Sequence, residues 1–188
     1  VNASEGKERK EAIFDGLLCA SAWFFGLSAV GLLLLSNDFI RLWVGTDYVL
    51  DITSVAAIVG AFYVNNMHHA CFVYRNTAGL FVYGKYIPVI ASVLNIGLDV
   101  ALGMWIGLPG IFLATIIARM LTYEIVDPLI IYRRVFGKSV LAYYGNYLKY
   151  TAIVAAAGVA CWAVLSVIPV GSWLGFAVSC VAIGIVYC

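Results

Sequence analysis

The sequence predicts an all-α fold, a polytopic membrane bundle of about six transmembrane helices. Three observations carry that expectation. Apolar runs of about twenty residues recur along the chain, each long enough at ~1.5 Å per residue to cross a hydrocarbon core of ~30 Å. Hydrophobic residues make up 64% of the 188 positions and charged residues only 11%, where a soluble domain carries about a quarter. The basic residues fall almost entirely in alternate connections between the runs, as membrane insertion requires of cytoplasmic loops.

Residues 1–15 hold Lys7, Arg9, Lys10 and the acids Glu5, Glu8, Glu11 and Asp15, a solvated helix start. The first span is expected over residues 16–36. Asn37 and Asp38 should break it, ahead of a short amphipathic run at residues 39–45 with Trp43 and Tyr48 at interface positions. The second span covers residues 52–74 and is apolar until Asn65-Asn66-Met67-His68-His69. Arg75 opens a loop that ends near Lys85. Two long apolar runs then flank Gly107-Leu108-Pro109-Gly110, a connection too short for anything but an antiparallel hairpin.

Beyond Arg133, Arg134 and Lys138, residues 135–148 carry Tyr143, Tyr144 and Tyr147 and read as an amphipathic link lying along the interface. The fifth span follows at residues 150–168. Pro169-Val170-Gly171-Ser172 turns the chain, and Trp173 starts the sixth. The chain thus divides into residues 1–132, with four helices, and residues 133–188, with the linker and two more. A charged start without Met, and a last apolar run that stops after sixteen residues, are what a piece of a longer protein would have.

With the first residues placed in the cytoplasm, Lys7, Arg9, Lys10, Arg75, Lys85, Arg133, Arg134, Lys138 and Lys149 all fall inside and only Arg41 outside. Trp43, Trp105 and Trp173 then mark the outer ends, and Tyr74, Tyr86, Tyr132 and Tyr150 the inner ends. The net charge of +1 offers nothing to a nucleic acid. The five cysteines form no CxxC and no Cys/His ligand set, so neither a metal nor a disulfide is expected. Glycine-rich phosphate loops, nucleophile elbows and His-Glu-x-x-His are all missing. The loops are too short for an enzymatic domain. No catalytic residue and no cofactor are therefore assigned, and a membrane transport or structural role is left.

The candidate site residues are the polar groups inside the spans. Asp99 and Arg119 sit at similar depth on the two arms of the hairpin, Asp99 on one face with Ser92 and Asn95, Arg119 on one face with Thr115 and Thr122. They read either as the lining of a polar cavity, with Arg119 meeting an anionic group and Asp99 its resting partner, or as an ion pair that locks the hairpin. Asn65, His68 and His69 read as one helical face near the inner end of the second span, a cavity wall or interfacial anchor. Glu124 and Asp127, before Pro128, read as acids near the aqueous mouth.

Three segments carry a family resemblance: Phe39-Ile-Arg-Leu-Trp-Val-Gly after a membrane helix, Tyr74-Arg-Asn-Thr-Ala-Gly-Leu-Phe-Val-Tyr-Gly-Lys-Tyr between helices, and Asn95-Ile-Gly-Leu-Asp followed by Gly-Leu-Pro-Gly-Ile-Phe-Leu-Ala-Thr-Ile-Ile-Ala-Arg. In order and spacing the chain resembles the bacterial polysaccharide-unit flippases of the multidrug/oligosaccharidyl-lipid/polysaccharide exporter superfamily. That resemblance implies a transporter of about fourteen helices in two lobes, related by an internal repeat. Residues 1–132 would be the last four helices of the second lobe and residues 133–188 an additional pair. It implies an undecaprenyl-pyrophosphate-linked oligosaccharide as substrate, moved across the bacterial cytoplasmic membrane for capsule, O-antigen or exopolysaccharide synthesis. It further implies membrane lipids, the missing N-terminal lobe and a polysaccharide polymerase as partners. A drug/cation antiporter of the same superfamily and a membrane-embedded glycan polymerase or ligase are the alternatives.

The basic asymmetry makes the topology testable. In a background without the native cysteines, Ser172→Cys should react with an impermeant thiol reagent from outside the cell and Ser139→Cys should not. The reverse pattern would overturn the assignment.

Overall fold

The structure, a computed structural model, describes residues 3–168 and 172–188, with side chains from residue 6 onward except that of residue 81; the expected turn at 169–171 lies outside the described residues. It is all-α, with no strand among the described residues. Among the described residues eight α-helices form six rods: α1 (Ala3–Trp43), α2 (Ile52–Met67) continued by α3 (His69–Thr77), α4 (Ile87–Ile106), α5 (Leu108–Leu121) continued by α6 (Tyr123–Ile131), α7 (Leu141–Leu165) and α8 (Trp173–Tyr187). Among the described residues, four helices are long and apolar enough to cross a membrane: Gly6–Trp43, Val82–Ile106, Leu108–Phe136 and Leu141–Leu165. Trp173–Tyr187 is apolar but shorter. The chain is a membrane protein by this measure.

α1 runs through Asn37 and Asp38 without the expected break. The amide of Asn37 is used outside the helix instead: its Nδ2 donates to the Leu50 carbonyl at 2.8 Å, and its Oδ1 accepts from the Leu50 N–H at 3.3 Å. A residue that weakens a helix by competing for backbone partners here pins the loop that returns to α2. Asp51 caps α2, its carboxylate accepting the Ser54 N–H at 2.9 Å. The Ser54 and Thr53 hydroxyls and that N–H hold the Asp51 carboxyl down at about 2.

α1 is the long central rod and packs on α2, α3, α7 and α8. Near its start Phe14 is fully buried, with the rings of Tyr74, Phe136, Tyr132 and Tyr143 at centroid distances of 5.4, 5.9, 6.0 and 6.1 Å. This aromatic core corrects the expected interfacial link. α7 already begins at Leu141, and Tyr143 and Tyr147 are buried in the bundle. Lys138, in the short connection before α7, donates to Glu11 at 2.6 Å, and that contact raises the ammonium above its ordinary range.

The hairpin turn is tighter than the four residues expected. α4 ends at Ile106 and α5 begins at Leu108, so Gly107 alone reverses the chain, at φ 76°, ψ −141°. Only glycine adopts that conformation without strain. Leu108, Pro109 and Gly110 form the first turn of α5, where proline's missing N–H is harmless. Gly110 is the point of closest approach, since a Cβ there would overlap the Leu102 carbonyl of α4. α4 packs chiefly on α5, and the rest of its circumference is open: Met104 is 85% exposed and Trp105 81%.

Two alanine substitutions separate close approach from helix propensity. Gly110→Ala must push α4 off α5 and should cost about 1–3 kcal/mol. Gly97→Ala, where nothing lies within 4 Å of the new methyl group, should be neutral or stabilising by up to ~1 kcal/mol. Unfolding in detergent reads both, and equal effects would contradict the close approach of α4 and α5 at Gly110.

Candidate functional site

Two of the six rods are interrupted, and the interruptions face each other. α2 stops at Met67, His68 caps it, and α3 restarts at His69. α5 stops at Leu121, Thr122 breaks the spiral at φ −116°, ψ −83°, and α6 restarts at Tyr123. Pro128 shapes the second half of this rod. It has no N–H to offer the carbonyl four residues back, which is that of Glu124. The Tyr144 hydroxyl from α7 donates to that carbonyl instead, at 3.1 Å. Thr122 repairs the break on its other side, its hydroxyl donating to the Ala118 carbonyl at 2.6 Å.

Four ionisable side chains meet between these broken rods: His68, Arg75, Glu124 and Asp127, with 3%, 7%, 4% and 0% of their surface exposed. The Arg75 guanidinium donates to Asp127 Oδ1. His68 Nε2 lies 3.0 Å from Asp127 Oδ2, and Nδ1 lies 3.4 Å from Glu124 Oε1. The Tyr143 hydroxyl donates to Glu124 Oε2 at 3.0 Å. A Cβ at Gly84 would lie 2.6 Å from the Arg75 guanidinium, so that glycine makes the room Arg75 occupies. With Arg75 positive and both acids ionised, the cluster is neutral when His68 carries a proton and bears one negative charge when it does not.

The contacts of His68 are at ion-pair distance without hydrogen-bond alignment. Both its ring nitrogens, Glu124 Oε1, Asp127 Oδ2 and Arg75 Nε are buried without an aligned partner. In an interior of low dielectric such atoms are held by electrostatics, and a small shift of either half-rod changes their partners.

The sequence-predicted residues are divided by the structure. Asn95, Asp99 and Thr115 come together: Asn95 Nδ2 donates to Asp99 Oδ1 at 3.2 Å and to Thr115 Oγ1 at 3.4 Å. Arg119 does not join them, and it forms no ion pair with Asp99. The one-residue turn is the reason. Thr115 stands as far beyond Gly107 as Asp99 stands before it, and Arg119 lies one helical turn further along α5. Its guanidinium carbon sits 5.0 Å from the Tyr123 ring centroid, and its Nε is buried without a hydrogen-bond partner. The other face of the link is His68, whose ring is 5.5 Å from that of Tyr123.

Asn65, His68 and His69 do not share a face. His68 points into the cluster, while Asn65 and His69 are exposed on the outer side of the rod, His69 edge-on to Phe25 with the ring centroids 6.3 Å apart. His68 keeps helical backbone angles, and since successive helical residues point about 100° apart, it faces the cluster while His69 faces out. Glu124 and Asp127 are corrected from acids at the mouth to the buried centre of the site, and Arg75 from a loop cation to their counter-ion. Their spacing ahead of Pro128 was the available signal, because i, i+3 acids share a helical face. Nothing local to Arg75 marked it as internal. Among the described residues, no group of His, Cys, Asp and Glu is arranged to hold a metal ion, and Asp127 Oδ1 already carries the Arg75 guanidinium. The five cysteines are free thiols.

No family model, curated protein or solved structure matches the chain.

Asp127 is the keystone by this geometry, and its removal has a defined cost. Asp127→Leu leaves Arg75 and His68 buried without their shared anion and should destabilise by about 3–5 kcal/mol. Adding Arg75→Leu should recover much of that loss, because both charges leave together. Unfolding of the two singles and the double in detergent gives the coupling. A double variant as unstable as the sum of the singles would contradict it.

Proposed function

We propose that this chain is part of a membrane transporter that flips undecaprenyl-pyrophosphate-linked oligosaccharide units from the inner to the outer leaflet of a bacterial cytoplasmic membrane. The observation that carries the reading is Arg119. It is a permanently charged side chain on a membrane-length helix, half-buried, with no acidic partner among the described residues. An intramembrane arginine costs roughly 2.5–3.5 kcal/mol even on the gentler insertion scale, so it persists where something offsets it. Its guanidinium presents a planar fork of donors that matches a pyrophosphate. The Tyr123 ring holds it from one side only.

The absence of an Asp99–Arg119 ion pair favours the cavity reading over a charge lock on the hairpin. Asp99, Asn95 and Thr115 form a separate polar patch one turn nearer Gly107, suited to hydroxyl groups of a sugar. Broken rods that bring α-helix ends and buried charges to one level are the architecture that supports alternating access in secondary transporters. The substrate class itself rests on the resemblance of the three sequence segments.

A second reading, export of a cationic drug in exchange for an ion, is favoured by the buried carboxylates of Glu124 and Asp127. Arg75 already pairs with Asp127, and His68 lies against both carboxylates, so the first reading is preferred.

In the complete transporter, Arg119→Ala should lower glycan export about 10–100-fold, the loss of a charge-assisted contact, with protein still present in the membrane. Arg119→Lys should keep part of the activity, and Asp99→Asn should cost less than Arg119→Ala. Export assays beside membrane protein levels decide. Restored export in the Asp99→Asn, Arg119→Ala double variant would rule out a substrate role for Arg119.

A further inference from the structure

The basic end of the bundle holds a cavity that the transport reading does not use. Its volume is about 730 Å³, and it opens between the start of α1, the end of α3 and the turn that follows α6. Lys7, Lys10 and Arg134 line it, with no acid among the lining residues. The floor is apolar, formed by Tyr74, Leu80 and Val135.

Each cation is positioned by its surroundings. Lys7 and Lys10 are one helical turn apart on α1 and so share a face. The Lys7 amine lies against Gly137, 3.9 Å from where a Cβ would stand. Arg134 is carried at 4.5 Å over the Tyr83 ring. Of the acids on that stretch of α1, Glu8 is exposed and not among the lining residues, and Glu11 is held by Lys138. Among the described residues none of the three cations has an ion-pair partner.

We propose that this cavity binds the phosphate headgroup of an anionic glycerophospholipid. Three cations without an ion-pair partner among the described residues converge on one volume, which fits a phosphate with its attached glycerol rather than a bare ion. The apolar floor fits the first methylenes of an acyl chain. The position, at the first turns of the membrane-length helix Gly6–Trp43 and the last turn of Leu108–Phe136, places the cations at the level where headgroups lie. Basic pockets between helices on the cytoplasmic side recognise lipid phosphates by this combination of charge and shape. A soluble phosphate shares the charge chemistry and not the apolar floor.

Native mass spectrometry of the full-length protein in neutral detergent tests the assignment, with phosphatidylglycerol and phosphatidylcholine as probes. Wild-type protein should retain phosphatidylglycerol in preference to phosphatidylcholine. The K7Q/K10Q/R134Q variant should bind phosphatidylglycerol about 100-fold more weakly, the loss expected for three surface cations, with phosphatidylcholine unchanged. The charge-conserving variant K7R/K10R/R134K should keep the preference, which guards against a merely misfolded protein. Removing three other cations, in K85Q/R133Q/K149Q, should leave it intact. Equal loss in the lining and control variants would overturn the proposal, since attraction would then be diffuse. Displacement of phosphatidylglycerol by inorganic phosphate at equal concentration would also overturn it, in favour of a soluble anion.

Discussion

Asp127 is the residue on which the packing of α3 against α6 depends. It is wholly buried on α6, and its carboxylate joins Arg75 on α3 and His68 at the α2–α3 junction. Burying a charge is tolerable only when partners replace the lost water, and here they come from a different rod. The register of the second rod against the fourth is therefore set by charge. Around that centre the packing is aromatic. Tyr143 reaches Glu124, Tyr144 takes the carbonyl freed by Pro128, and Phe14 fills the space between Tyr74 and Tyr132.

Both interrupted rods break beside this cluster, and neither break leaves the backbone unsupported. At Thr122 the side-chain hydroxyl takes the Ala118 carbonyl, the His68 N–H still bonds the Val64 carbonyl, and the tyrosine from α7 meets the carbonyl that Pro128 leaves free. Helix breaks at membrane depth persist only where protein groups meet the freed backbone atoms. The same place holds several buried polar atoms without aligned partners.

The hairpin α4–α5 is built on the opposite logic. One glycine turns the chain, another lets the helices touch, and little else holds α4 to the rest. Its polar groups are consequently sorted by small differences in register. Asn95, Asp99 and Thr115 satisfy one another, and Arg119, a turn away, is left with the face of Tyr123. An arginine so placed remains available to an anion. At the basic end, Lys7, Lys10 and Arg134 line one cavity together with Tyr74, Leu80 and Val135.

The all-α class, the sites of most helices and the asymmetry of basic residues were legible in the sequence, because apolar length and loop charge act locally. The polar residues that matter were also visible, but their partners were not. Asp99 and Arg119 looked matched in depth until Leu108, Pro109 and Gly110 proved to be helical, which moves Arg119 by a turn. Asn37 looked like a breaker because its bond to Leu50 depends on where the chain returns. His68, Asn65 and His69 looked alike until packing set His68 alone against the carboxylates. Arg75 read as a loop cation and Tyr143 as an interfacial ring, since nothing in their neighbours reports a carboxylate arriving from another helix. Composition and periodicity decide what enters the membrane; tertiary packing alone decides which buried charges meet, because those contacts join residues far apart in the chain.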